Sequence, residues 1–544
     1  MKKTSMAIFR LLVILTTIVF SQSCFQGATQ PAFDIIIANG RLYDGTTDKP
    51  VIADIGIKGD KIAAIGKFSG MTTVTIDATG LIVAPGLIDV HSHTDLLLKE
   101  KGLRRVAVYI KPSLNGNHNY LRQGVTTVVT GNCSLGYTKT AKWLGWVDSL
   151  KFGTNVHHLV PAGAVGEELF GKNFNFPLNE KQKEIFTGKL IKEIENGAIG
   201  VSFDLSKKPG NGLTTEDLVE IGRAIKPYDG MLVFNLRDSS GLSDANGNPA
   251  FIQSLREVVE IGKKSSVAVH LANLELNAPA NNVSYARFAG ILRDARREGA
   301  DITADQGVYG RAAARLTEFL PDTYLSKGRI KKEYTTPEGK TALLKIIEQT
   351  FRKPEAEALM VERYRSNKSY EGKTLRQIAA LEGKTLSQCC LEILTADEPP
   401  LVLAAKADET FARKLMKESF VFTSSEGMVW GKDGSQLHPG NWGAFPRKLR
   451  KYALEDKIIN LQHAIRSMTA LPAEKYRIAG RGRIAVGNFA DIAIFDLKKI
   501  MDKATFSEPE QYAAGVEYLI VNGILSIEQG EITGKKGGRP LKRF

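Results

Sequence analysis

Leu87-Ile88-Asp89-Val90-His91-Ser92-His93 is an apolar run that ends in two histidines separated by one residue. Residues i and i+2 of a strand share a face, so this run predicts a strand that brings two imidazoles to one point at its C-terminal end. Seven further short apolar or β-branched runs follow, at 126–133, 155–160, 198–204, 231–237, 266–270, 301–305 and 420–425. The segments between them read as helices. Before 215–225, for example, Thr214 can cap; Glu216 and Asp217 favour the first turn, and Leu218, Ile221 and Ile225 share one face. Strands alternating with helices pair in parallel, and a count of eight predicts an α/β fold, a closed (β/α)8 TIM barrel. The spacing breaks between the seventh and eighth runs, where 311–410 reads as a largely helical insertion or lid.

Outward from the barrel, both ends of the chain look different. Residues 33–85 contain strands and turns, including a hairpin signal at Gly59-Asp60, and 491–496 and 518–523 have the same character. Two β-rich ends around an α/β middle predict one small β-sandwich domain built from both termini, 33–86 and 476–544, with the barrel at 87–475. Residues 1–23 read as a secretory signal, with Lys2 and Lys3 ahead of the apolar stretch 11–20 and Ser21-Gln22-Ser23 as the cleavage zone; 24–32 is a linker. Cys24 follows at once and resembles the lipid-acceptor cysteine of bacterial lipoproteins. The expectation is an exported protein, periplasmic or anchored to the outer membrane through Cys24.

Composition narrows the class. Of 544 residues, 43% are hydrophobic and 24% charged, which excludes a disordered chain. The formal charge of +14 suits anionic substrates, but no basic run is interleaved with aromatics, so no nucleic-acid partner is expected. Four cysteines, of which Cys389 and Cys390 are adjacent, make no disulfide framework.

In a barrel of this kind the site lies at the C-terminal ends of the strands. The residues there are His91 and His93 on the first strand and Asn132-Cys133 on the second. Asn235 and Arg237 end the fifth, His270 the sixth, Asp305 the seventh and Glu426 the eighth. Taken singly, each has a structural alternative. A lone His-x-His is often a surface pair, Cys133 a small buried hydrophobe, His270 a core histidine, and Glu426 a helix cap. Together they form a set of imidazoles, a thiolate and a carboxylate that suits a borderline-soft divalent ion such as zinc. His157 and His158 are adjacent, so at most one faces the interior; His118 lies in a loop and His438 precedes a proline.

At these residues the sequence resembles the N-acyl-D-amino-acid deacylases (D-aminoacylases) of the amidohydrolase superfamily. The resemblance is carried by Ala84-Pro-Gly-Leu-Ile-Asp-Val-His-Ser-His-Thr-Asp, by Gly131-Asn-Cys, by Ile302-Thr-Ala-Asp-Gln, by Trp442-Gly-Ala-Phe-Pro-Arg and by the stretch 481–496, and it runs from about residue 33 to the C-terminus. It implies one or two Zn2+ ions, with His91, His93, Cys133 and His270 as ligands and the eighth-strand acid, Glu426, as the proton shuttle. It also implies a small-molecule substrate, an N-acyl amino acid hydrolysed at its amide bond. Four positions depart from the family pattern: Asn235 stands where a histidine ligand is expected, Glu426 for an aspartate, Ala272 for a lysine and Gly440 for an arginine. Arg237, Arg447 and Asp305 are the candidate substrate contacts. Two other readings compete with this one: an amidohydrolase acting on another linear or cyclic amide or dipeptide, and a degenerate, non-catalytic barrel lipoprotein.

Overall fold

The fold is described from a computed structural model. It covers residues 33–542, apart from 47–48, 68–71, 100, 241–242, 244–246, 277–282, 325–327, 353–358, 397, 406–407 and 430–437. The signal segment, the linker and Cys24 lie outside the described residues.

Eight parallel strands form the middle of the chain: Leu87–Asp89, Val125–Thr130, Asn155–His158, Gly200–Asp204, Met231–Asn235, Ala268–Leu271, Ile302–Gln306 and Val421–Thr423. Successive strands pair in parallel; the third does so with the second through 155–158 and with the fourth through its continuation Val160–Pro161. The circle closes between the first and eighth strands, where Ser92 bridges Gly427 and the His93 N–H donates to the Gly427 carbonyl at 2.8 Å. This is the expected TIM barrel. The strands are buried on both faces because helices cover the outside. The helix Thr215–Ile225 shows how local sequence dictates this layer. Thr214 and Asp217 form a reciprocal capping box, and Leu218, Ile221 and Ile225 are buried towards the barrel. Such a cap contributes about 1 kcal/mol.

The small domain draws strands from both ends into one nine-stranded sheet. Ile82–Pro85 pairs antiparallel with Ile492–Phe495, from more than 400 residues away in sequence. Its core is almost entirely aliphatic, with Ile37, Ile55, Ile57, Ile492, Ile494 and Ile520 fully buried. Gly59 takes a left-handed φ of 58° at the hairpin between Val51–Lys58 and Lys61–Gly66.

Residues 311–410 are largely helical, as the sequence predicts, but they also carry a small sheet that it did not predict. Three antiparallel strands, Arg311–Arg315, Met360–Arg363 and Leu401–Ala405, form a sheet on which helices such as Pro337–Phe351 and Leu386–Thr395 pack. Arg311-Ala-Ala-Ala-Arg315 has no β-branched residue and no alternation of a usable length, so sheet partners rather than propensity make it a strand. Cys389 and Cys390 are free thiols buried in the core of this insertion.

The sheet domain and barrel are joined by a buried polar knot. Arg481 pairs with Asp491 at side-chain exposures of 2% and 3%. Asp491 accepts from Asn155 Nδ2 on the third barrel strand at 2.9 Å and from the Asn522 N–H at 2.7 Å. Replacing Arg481 by Met leaves Asp491 charged and buried without its cation, an expected loss of about 3–5 kcal/mol. The check is a denaturant midpoint: Arg481→Met unfolds at clearly lower urea than the parent, and an unchanged midpoint refutes the assignment.

Candidate active site

The first barrel strand ends at Asp89, and His91 and His93 follow it one residue apart. Asp89 is wholly buried; its Oδ1 accepts the His91 N–H at 3.1 Å and the Ser425 N–H at 3.2 Å, and its Oδ2 accepts the Ser425 hydroxyl. One carboxylate thus sets the direction of the His-x-His segment and locks it to the end of the eighth strand. Burial pushes the Asp89 carboxyl up to about 7, against the pull of these hydrogen bonds.

Cys133 reaches the histidines through an unusual turn. Gly131, Cys133 and Ser134 take φ of 81°, 54° and 58°. A Cβ at residue 131 would collide with the Leu159 carbonyl, so only glycine fits there. Asn132 Nδ2 donates to the carbonyls of Val90 and Val129 at 3.2 and 3.0 Å, which ties the turn to the first strand. The Gly-Asn-Cys order therefore has a mechanical reason: the glycine permits the turn, the asparagine pins it, and the thiol lands beside His91. His91 Nε2 lies 3.1 Å from Cys133 Sγ. Ligand atoms of His91, His93 and Cys133 all fall within 4.8 Å of one another.

The electrostatics differ between the two imidazoles. His93 Nδ1 is buried with no hydrogen-bond partner among the described residues. Burial, and next the charge of His91, push His93 down to about 3, so it is neutral at ordinary pH, the form that ligates a metal. Burial also opposes the charged form of His91, but the Cys133 and Asp305 charges outweigh it and hold His91 well above the usual histidine range. Two imidazoles and a thiol at this spacing fit zinc, which takes nitrogen and sulfur ligands.

Asp305 is the hub behind this group. It accepts from His270 Nε2 at 2.8 Å, from the Asn273 N–H at 3.0 Å and from the Ser424 hydroxyl, and its Oδ1 lies 3.8 Å from His91 Nδ1. Burial favours the neutral acid, yet the contacts with His270 and His91 hold Asp305 far below the usual carboxylate range. The side chain is fully buried, so the expectation that Asp305 touches substrate is corrected: it orients imidazoles instead. The expectation for His270 changes as well. Its Nδ1 is 2.8 Å from Thr303 Oγ1 and its Nε2 bonds Asp305, so both ring nitrogens are engaged and neither points at the His91–His93–Cys133 group. This bonding selects the Nε2–H tautomer, stacked on Phe422 at 5.3 Å.

Glu426 is half-buried just past the eighth strand at φ 50°, where Asn273 Nδ2 donates to its Oε1, and its charge acts on His93. Asn235 ends the fifth strand in register with Asp204, and its carbonyl accepts the Leu205 N–H at 3.2 Å. The two arginines expected as substrate contacts are each engaged by the chain itself. Arg237 is clamped by Glu257 at 3.0 and 2.7 Å and by the carbonyls of Asn211 and Leu213. Arg447 is bound to Asp502 and the Val308 carbonyl, both at 3.0 Å, with its guanidinium over the Tyr309 ring. Both side chains hold loops in place, with their guanidinium groups paired to carboxylates of the chain itself.

An open cavity of about 460 Å³ begins at Cys133 and Ser134 and is walled by Asp204, Lys207, Lys172 and Asn173. Sequence reasoning missed these lysines. Their one signal was position: Lys207 follows a barrel strand that ends at Asp204, and such loops carry barrel active sites.

Two substitutions separate a ligand from an orienting group. Cys133→Ala should abolish stoichiometric zinc binding, while Asp305→Asn should weaken zinc affinity about 10–100-fold with the fold intact. Metal analysis with competitive chelator titration reads both, and full zinc retention by Cys133→Ala refutes the site.

The amidohydrolase family model matches residues 341–526. The D-aminoacylase of Alcaligenes xylosoxydans xylosoxydans is 28% identical over 548 residues, 95% of this chain and 99% of that protein. The N-acyl-D-glutamate deacylase of the same organism is 27% identical over 540 residues, covering 94% and 97%. Among solved structures, a D-aminoacylase described for its binuclear metal centre superposes with a TM-score of 0.71 at 24% identity, over 94% of this chain and all of that one. An N-acyl-D-glutamate deacylase from Bordetella bronchiseptica, complexed with zinc and a phosphonate inhibitor, gives 0.70 at 24% identity, over 94% and 100%. The chain thus carries a match to the amidohydrolase family model over 341–526, is similar along nearly its whole length to a D-aminoacylase and an N-acyl-D-glutamate deacylase, and shares the D-aminoacylase fold.

Proposed function

We propose that this protein is a zinc-dependent hydrolase that cleaves the amide bond of N-acyl-D-amino acids, releasing a carboxylate and a free amino acid. The observation that carries the reading is the convergence of His91, His93 and Cys133 within 4.8 Å at the mouth of the barrel. Relatives spanning nearly the whole chain, a D-aminoacylase and an N-acyl-D-glutamate deacylase, supply the substrate class. A zinc ion held by these three side chains would supply a water activated at neutral pH and a polarised carbonyl.

The chain's own residues divide the remaining work. His93, neutral through burial, and Cys133 would hold the ion together with His91, whose Nδ1 lies 3.8 Å from Asp305 Oδ1. Amide hydrolysis adds the oxygen of water to the acyl carbon and breaks the C–N bond, so a proton must leave the water and another must reach the departing nitrogen. Glu426 is the carboxylate placed to take the first and return it, with Asn273 holding one of its oxygens. Glutamate at this place reaches farther than aspartate by one methylene, and the Asn273 contact restrains that extra length.

The N-terminal pattern, basic residues, apolar stretch and then Cys24, supports export and lipid anchoring. Cys24→Ala should move the protein from the membrane fraction to the soluble fraction, and an unchanged distribution refutes the anchor.

Hydrolysis of N-acetyl-D-amino acids should be lost on chelation and restored by zinc. Glu426→Gln should lower kcat about 10²–10⁴-fold while zinc content stays unchanged. Activity untouched by both treatments overturns the reading.

A further inference from the structure

An N-acyl amino acid carries a carboxylate two bonds from the scissile nitrogen, so a site for it needs a cation near the metal group. The expected candidates do not supply one. Positions 272 and 440 are Ala and Gly, while Arg237 and Arg447 are bound into loops. The cavity that begins at Cys133 nevertheless contains Lys207, on the loop after the fourth barrel strand. We propose, resting on the hydrolase reading above, that Lys207 anchors the α-carboxylate of the substrate, so that the site takes N-acyl amino acids with a free carboxylate and discriminates against their amides.

Three observations support the assignment. Lys207 Nζ is held 2.9 Å from Asp204 Oδ2, whose side chain is 6% exposed, while the Lys207 side chain is 62% exposed and lines the cavity. Asp204 is otherwise occupied: its Oδ1 accepts the Ser206 N–H and hydroxyl at 3.0 and 2.6 Å. One of the three ammonium protons is thus fixed on Asp204, which aims the group, and two remain for an incoming anion. Lys207 also shares the electrostatic neighbourhood of the reacting groups, since the charges of Cys133 and Glu426 act on it and its own acts on His93. Finally, Lys172 also lines the cavity; with Lys207 and Lys208 against Glu167 and Asp204, the cavity is cationic on balance and draws in an anion. The lysine comes from the strand-four loop, a different edge of the barrel from the positions where the family pattern has its cations.

The test compares an N-acetyl-D-amino acid with its primary amide on the zinc-loaded full-length protein, using Lys207→Met, Lys207→Arg and the double variant Asp204→Asn/Lys207→Met. The last removes the buried carboxylate together with its partner, so a folding defect of the single variant does not block the answer. The parent should prefer the free acid. Both methionine variants should raise KM for the acid about tenfold or more, with kcat within about twofold, and leave the amide unaffected. Lys207→Arg should restore most of the affinity, with zinc content equal throughout. Unchanged KM in the methionine variants, or a parent that hydrolyses acid and amide equally well, overturns the carboxylate anchor while the hydrolase reading stands. A parent that hydrolyses neither compound overturns both.

Discussion

Asp305 is a charged group buried out of reach of bulk solvent, and the site is arranged by that fact. A buried carboxylate is tolerated only when hydrogen-bonded and faced by positive or polarised groups. Here the sixth strand supplies His270, the loop beyond it the Asn273 N–H, and the eighth strand Ser424, while His91 approaches from the first. Satisfying one anion therefore places four segments relative to each other, including the imidazole that faces Cys133. The reciprocal holds too: His270, engaged at both nitrogens, is better described as part of the frame than as a free ligand.

The same logic operates at two other points. Asp89 joins the His-x-His segment to the eighth strand and so sits at the seam where the barrel closes. Asp491, with Arg481, Asn155 and Asn522, joins the sheet domain to the third strand. In each case a polar group deep in the structure is satisfied only when distant parts of the chain are correctly docked. Apolar packing supplies the bulk of the stability in the aliphatic sheet core and the barrel, but it is tolerant of small displacements. The buried polar groups are not, because a misplaced partner leaves a donor or acceptor without hydrogen bonds. Metal ligands gain from that intolerance, since a divalent ion needs its donors placed to within a fraction of an ångström.

Reading the chain alone goes far where the chemistry is local. Eight apolar runs separated by amphipathic helices follow from hydrogen-bond geometry and helical period, and the His91–His93 spacing is visible just past the first of them. Thr214 and Asp217 cap a helix for reasons contained within four residues. The insertion was harder, since Arg311–Arg315 has an alanine-rich sequence that is indifferent to strand or helix until Leu401–Ala405 lies beside it. The arginines were harder still. A guanidinium near a strand end looks available for substrate until Glu257 or Asp502 is seen beside it.

What the amino-acid order determined by itself was the class of fold, the β-rich character of both ends and the His-x-His spacing, because each rests on near neighbours or on a repeating period. Which charged groups are spent on each other and which remain free was decided only by the tertiary structure. Arg237, Arg447, His270 and Asp305 were assigned by partners 20 or more residues away, and Lys207 became notable because the folded chain opens a cavity between it and Cys133. Electrostatic pairing acts through space, so no window of sequence contains it.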